Sequence, residues 1–192
     1  MINKQWCLWI SLVAVLISGC ASNETIIDPV PSRITMVTSG DLGMISEHAK
    51  TFSWHPTMFT VHSANKIDDA ELVRHMRQSI TKIMNAKGYH YVAADQSPSL
   101  ILGFGMALES EISDKEIMKR AGLVAGLSTK GVDDDYEKGS VLVALFNPNS
   151  IQPVWKVLAQ GFTDTDRPVE VREQRFDKLT SMMLNSIPNH IM

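Results

Sequence analysis

Asp68-Asp69-Ala70-Glu71-Leu72-Val73, running on to Asn85-Ala86-Lys87-Gly88, is the stretch from which the rest of the chain can be placed. Asp68 is a good helix N-cap, because its short carboxylate can accept from the unpaired N–H groups of a first turn. Glu71, three residues on, completes a capping-box pattern. Leu72, Val73, Met76, Ile80, Ile83 and Met84 then recur at helical spacing and make one apolar stripe. Lys87 closes the last turn, and Gly88 supplies the left-handed residue that stops it. A helix with a single apolar stripe must lay that stripe on something, and the flanking segments read as a sheet.

Downstream, Tyr89 to Val92 reads as a strand, Asp95-Gln96-Ser97-Pro98 as a turn and Leu100 to Leu108 as a longer strand. Gly103 and Gly105 leave one face of that strand without side chains, an opening for a close-packed helix or for a ligand. Ser113 with Glu116 repeats the capping-box pattern, and Ile117, Ala121 and Val124 form a modest helical stripe that Gly122 and Gly126 weaken. With Asp133-Asp134-Asp135 beside Glu137, residues 113–139 read as an insertion on or beside the sheet, mobile in part. Val141 to Phe146 and Val154 to Phe162 flank the turn residues Asn147-Pro148-Asn149-Ser150 and should pair as an antiparallel hairpin. Asp166 then caps a last helix with Pro168 near its first position. Val169, Arg172, Phe176, Leu179 and Met183 line its apolar face, and Pro188 marks its end.

Upstream, Thr51 to Trp54 is a short strand that Pro56 stops, and Thr57 to Lys66 is polar and loop-like. Arg33 to Thr38 alternates well enough for a first strand, and Ser39-Gly40-Asp41 punctuates the chain after it. The expected fold is α+β, a mainly antiparallel sheet with two amphipathic helices packed on one face. It forms a single domain over residues 33–190.

Before that domain come Lys4, an apolar run from Trp6 to Ile17, and then Ser18-Gly19-Cys20. Residues 1–19 have the layout of a secretory signal peptide. The apolar core is short against the roughly 20 residues of a spanning helix, and no basic stop-transfer cluster follows it. Leu16-Ile17-Ser18-Gly19-Cys20 resembles the lipobox of bacterial lipoproteins, with Ile17 where that pattern more often has Leu. The resemblance implies cleavage before Cys20 and acyl chains, palmitate among them, on Cys20 itself. Ala21 in place of Asp at the second position implies the outer membrane, facing the periplasm. More than one chain makes such an anchor effectively permanent. Residues 20–32, with Asp28, Pro29 and Pro31 and no sustained periodicity, read as a tether.

Composition narrows the function classes. Losing Lys4 with the leader takes the formal charge from −3 to −4, and no Lys/Arg run forms a patch, so nucleic acid is not an expected partner. Cys7 leaves with the leader and Cys20 is acylated, so the domain has no disulfide available and must be stabilised by packing. The chain is 192 residues long and 44% hydrophobic, ordinary for one globular domain with a real core.

Further landmarks coincide in order: Lys50-Thr51-Phe52-Ser53-Trp54, Ala86-Lys87-Gly88-Tyr89, the apolar strand from Leu100, Val154-Trp155-Lys156 with Gly161, and a final helix closing on Ile187-Pro188. Together they resemble the bacterial lipoprotein family known as domain-of-unknown-function family 4136, from about Arg33 to Pro188. Pro98-Ser99-Leu100 departs from the Pro-Asp-Leu often found there. The resemblance implies an α+β lipoprotein domain and brings no catalytic residues with it.

No HExxH, Gly-x-Ser-x-Gly, phosphate loop or complete dinucleotide fingerprint occurs. Gly126-Leu127-Ser128-Thr129-Lys130-Gly131 has the wrong order and spacing for a phosphate loop and reads as a flexible loop. His55 and His62 share a segment with Asp68 and Asp69, but their spacing fits no metal cluster, and Asp133 to Asp135 lack the EF-hand pattern. No metal or cofactor is expected. Trp54 and Trp155 read as core, with an exposed binding anchor as the sharper alternative. Met76, Met84, Met182 and Met183 read as core filler, with a greasy lipid groove as theirs.

The expectation is a non-catalytic envelope lipoprotein acting as a binding or assembly accessory. It would join the membrane through its acyl chains and bind an unidentified envelope protein or glycan. Any binding surface is expected at Trp54, Trp155, Gly103 and Gly105. The alternative is a carrier of a lipid or other apolar ligand between sheet and helices, and an enzyme of unrecognised type ranks last.

Overall fold

Asp68 caps its helix as its position implies: the carboxylate accepts from the N–H of Ala70 at 2.9 Å and of Glu71 at 3.1 Å. The computed structural model describes residues 32–63, 68–164 and 166–190. The expected signal peptide over 1–19, the expected acylation site Cys20 and the expected tether as far as residue 31 lie outside the described residues. Helix α1 spans Asp69–Ala86. The Glu71 side chain turns to Arg74, 3.1 Å away, and so does not reach back as a capping box would have it. Gly88 has φ +91°, and at this end Tyr89 N–H bonds Met84 O while Gly88 N–H bonds Asn85 O, the paired closure of a Schellman motif. Met76, Ile80 and Met84 on the stripe are fully buried, each contributing roughly 1.5–3 kcal/mol.

The strands are β1 (Thr35–Gly40), β2 (Thr51–His62), β3 (His90–Tyr91), β4 (Leu100–Leu108), β5 (Glu137–Phe146) and β6 (Trp155–Thr163). They form one sheet in the order β1-β6-β5-β4-β2-β3. The α+β class holds, but the sheet is mixed and not mainly antiparallel. β2 runs parallel to both β3 and β4, while β4-β5, β5-β6 and β6-β1 are antiparallel. The reason is α1 itself, a crossover that returns the chain in its original direction.

β2 is the largest departure from expectation. Pro56 does not stop it, and Thr57 to His62 is strand, not loop. Its ladder with β4 breaks between Trp54 and Phe59, so that His55 to Met58 bulge out against Gly103. The missing N–H of Pro56 falls in that gap, where no ladder bond is lost. His55 Nδ1 secures the bulge by accepting from the N–H groups of Thr57 and Met58 at 3.3 and 3.1 Å.

Two further helices complete the fold, α2 (Asp114–Ala121) and α3 (Val169–Met183). Pro168 occupies the N-cap position of α3, and Asp166 does not cap it. Asp164 organises the entry instead, accepting from Asp166 N–H at 3.0 Å and Arg167 Nε at 3.3 Å. α1 and α3 lie together on one face of the sheet. There Phe52, Leu102, Phe104, Val143, Leu145, Trp155 and Val157 meet Met76, Ile80, Met84, Phe176 and Met183. Residues 137–139 of the expected insertion belong to β5, and the opposite face is covered by residues 113–136, through Ile117 and Leu123 against Leu158 and Leu142, and Leu127 against Phe162.

Candidate functional site

Strand alternation decides which side chains each face receives. On the helix side, Val141 and Val143 of β5 stand beside Ala159 and Val157 of β6. One step further along the same face the ladder pairs Gly139 with Gly161. Two glycines directly opposite each other remove the side chains that would otherwise meet the N-terminal halves of α1 and α3. The result is an open cleft of about 380 Å³ between sheet and helices. Val61, Met106, Leu108 and Val141 wall it from the sheet, and Leu72, Phe176 and Leu179 from the helices. The glycines have room to spare. A Cβ on Gly161 would come no nearer than 3.7 Å to Ile34 Cγ1, and one on Gly139 no nearer than 3.9 Å to Leu108 Cδ2.

The mouth is polar. Glu71, His62, His75, Arg172, Glu173, Arg175 and Lys178 all border the cleft. His75 fastens α1 to α3 along one wall: Nδ1 lies 3.1 Å from Glu173 Oε1 and Nε2 3.0 Å from Asp177 Oδ1, with the ring edge-on to Phe176. Both contacts become ion pairs when the imidazole is protonated. Arg175 donates to Phe162 O at 3.2 Å, and Ser63 Oγ lies 2.5 Å from Asp69 Oδ1. Ser32 and Ile34, the beginning of the described chain, also border the opening.

On the other face a buried polar network holds residues 113–136 to the sheet. Lys138, its side chain 4% exposed, reaches Glu109 Oε1 at 2.8 Å and Asp114 Oδ2 at 3.0 Å. Fully buried Gln160 donates to Asp114 Oδ1 and Ser140 Oγ and accepts from Leu127 N–H. Burial pulls the Lys138 ammonium pKa down, but the hydrogen bonds it donates to Glu109 and Asp114, and their charges, outweigh it and hold the group above the ordinary lysine value. Such an ammonium is a structural cation, not a nucleophile. Leu127 is therefore pinned inside the stretch that reads as a flexible loop.

The residues singled out from sequence scatter. Trp155 is 3% exposed in the core and offers no surface. Trp54 is half-buried, edge-on to Phe52, Phe59 and Phe104, with the Arg77 guanidinium 5.8 Å from its ring. Gly103 and Gly105 alternate out of phase with Leu102 and Phe104, so they face away from α1 and α3, and the Met58 side chain folds over Gly103. Neither glycine borders the cleft. Cys20 lies outside the described residues. Among the described residues no three His, Cys, Asp or Glu side chains converge to hold a metal, and no helix is long and apolar enough to cross a membrane. Sequence reasoning missed Gly139 and Gly161 because their pairing depends on hairpin register. The ladder starts at Leu145 opposite Trp155, well outside the Asn147–Ser150 turn.

The family model described as "Domain of unknown function (DUF4136)" matches residues 42–189. No curated protein matches the sequence. Among solved structures, a PelC dodecamer from Paraburkholderia phytofirmans superposes with TM-score 0.50 at 10% identity, covering 82% of this chain and 99% of that one. A PelC variant dodecamer from the same organism gives 0.50 at 12%, over 82% and 98%. A DUF4136 family protein from Bacteroides thetaiotaomicron gives 0.46 at 14%, over 80% and 98%. At these identities the likeness is one of fold.

Proposed function

This chain belongs to the DUF4136 family, and from that premise we propose that it is a non-catalytic lipoprotein serving as a binding or assembly accessory in the cell envelope. Acyl chains on Cys20 hold it in the outer membrane, facing the periplasm, and its partner is another envelope component, protein or glycan. The Leu16–Cys20 stretch and the tether after it support the anchor. The observation that carries binding is the cleft floored by Gly139 and Gly161. A strand glycine gives up about 0.5–1 kcal/mol relative to alanine, and two of them, paired and unobstructed, leave a concave apolar space where a core would ordinarily be filled.

A second reading, carriage of a lipid or other apolar ligand between sheet and helices, is favoured by the lining of that cleft, which is apolar at its floor and charged only at its mouth. Cross-linked co-purification from intact cells tests the two. The accessory reading expects one stoichiometric envelope partner with the wild type, weakened in Cys20→Ala and in Gly161→Leu. Well-folded protein that brings down no partner, yet yields acyl lipid on extraction, would replace it with the carrier reading.

A further inference from the structure

The cleft is chemically graded from floor to mouth, and the gradient describes a ligand. Its floor is glycine backbone and its walls are Val61, Met106, Leu108, Val141, Leu72, Phe176 and Leu179, with no charge among them. Its mouth carries Arg172, Arg175 and Lys178, spaced three residues apart and so forming a row along α3. Two carboxylates also border the mouth: Glu71 pairs with Arg74, and Glu173 Oε1 lies 3.1 Å from His75 Nδ1. Arg175 is engaged with Phe162 O, and Lys178 at the row's end is exposed and faces the ligand's path into the cleft.

Size and place agree with that gradient. The volume of about 380 Å³ is more than twice the roughly 150 Å³ of an apolar cavity that takes a benzene ring. Ser32 borders the mouth, and about a dozen residues separate it from Cys20, so an anchor at Cys20 keeps the opening within roughly 40 Å of the bilayer surface.

We propose that the cleft binds a free long-chain fatty acid drawn from the membrane, its chain lying over Gly139 and Gly161 and its carboxylate meeting the Arg172–Lys178 row. This rests on the carrier reading and names its ligand class. The glycine pair provides the room, the helix row supplies charge complementarity, and the tether delivers the mouth to where such amphiphiles are found.

The test uses the full-length acylated protein in isolated membranes, with a diazirine-bearing palmitic acid as probe and the matching diazirine alcohol as its neutral counterpart. After irradiation, adducts are mapped by mass spectrometry of peptides. In the wild type, adducts on peptides of β4, β5 and α3 are expected, displaced by excess palmitic acid. Gly161→Leu and, independently, Gly139→Val, whose Cβ atoms would come no nearer than 4.0 Å to backbone, fill the floor and should cut capture about tenfold with no loss of thermal stability. Lys178→Glu, alone and with Arg172→Gln, should cut capture of the acid about fivefold and spare the alcohol. Equal capture of acid and alcohol, lost together in the glycine variants, would overturn the fatty-acid assignment and leave the carrier reading standing. Adducts absent from the cleft, or indifferent to both glycine variants, would overturn both. Adducts joining the acylated Cys20 peptide to the cleft would show it filled by the protein's own chain and overturn the free ligand.

Discussion

Gly139 of β5 stands directly opposite Gly161 of β6 on the face that receives α1 and α3, and neither glycine needs its conformational freedom there. Both have ordinary strand backbone, and an added Cβ would meet nothing closer than 3.7 Å. What the pair provides is empty space, at a cost in strand stability.

The cost is measurable. Gly139→Val and Gly161→Ala should each raise the free energy of unfolding by about 0.5–1 kcal/mol, since strand propensity rises and unfolded-chain entropy falls with no steric penalty. Urea denaturation reads this as a higher midpoint at constant slope. A lower midpoint would mean that the floor is sterically constrained after all.

Lys138→Met removes the cation that Glu109 and Asp114 share. Those carboxylates are 39% and 33% exposed, so water can recover them, and the loss at neutral pH should be about 1–3 kcal/mol, below that of a fully buried broken pair. Because the folded state holds this ammonium above its ordinary value of 10.5, its contribution is complete below that pH and fades as pH rises through the folded value. Urea midpoints of wild type and variant should therefore converge above pH 10.5. A constant gap would mean that the lysine acts only through its stem.

Tyr89 is fully buried, and its hydroxyl has no hydrogen-bond partner among the described residues; burial pushes the phenol up to about 12 from 10.0. Stability should therefore hold up to pH 10 and decline between 10 and 12, as the unfolded chain ionises and the folded one does not. Tyr89→Phe should be neutral, or stabilising by up to about 1 kcal/mol, at pH 7 and should remove that decline. Absorbance titration near 295 nm checks it, since the variant loses the phenol that titrates at about 12.

Gly103 and Gly105 look equivalent in sequence and should behave differently. A Cβ on Gly103 would lie 2.6 Å from Met58 Sδ and 2.8 Å from its Cβ, so Gly103→Ala should cost about 1–3 kcal/mol, with partial recovery on adding Met58→Ala. Gly105→Ala meets only Thr60 O at 3.7 Å and should be neutral or slightly stabilising. Thermal melts of the three variants separate the two positions.

Much of the architecture was legible locally. The ends of α1, the bounds of β4 and the β5–β6 hairpin follow from capping side chains, glycine at a left-handed position and alternation, all of which act over a few residues. The course of β2 past Pro56 was not, because the tolerance for proline there comes from the ladder gap opposite Gly103, and β4 lies far along the chain. The mixed sheet escaped for the same reason, since strand direction was decided by where α1 returned the chain.

By itself the sequence determined the family landmarks, the amphipathic helices and the strands that receive them, and it carries the lipobox-like stretch Leu16–Cys20. These are properties of neighbours in the chain. Which glycines matter was decided by tertiary structure alone. Gly103 and Gly105 were conspicuous on one strand, yet they face away from α1 and α3, and Met58 fills the space over Gly103. Gly161 stood out only as a family landmark and Gly139 only as the end of the 113–139 segment, yet together they floor the cleft. A cavity is the joint absence of side chains from several elements, and only register and packing bring those absences to one place.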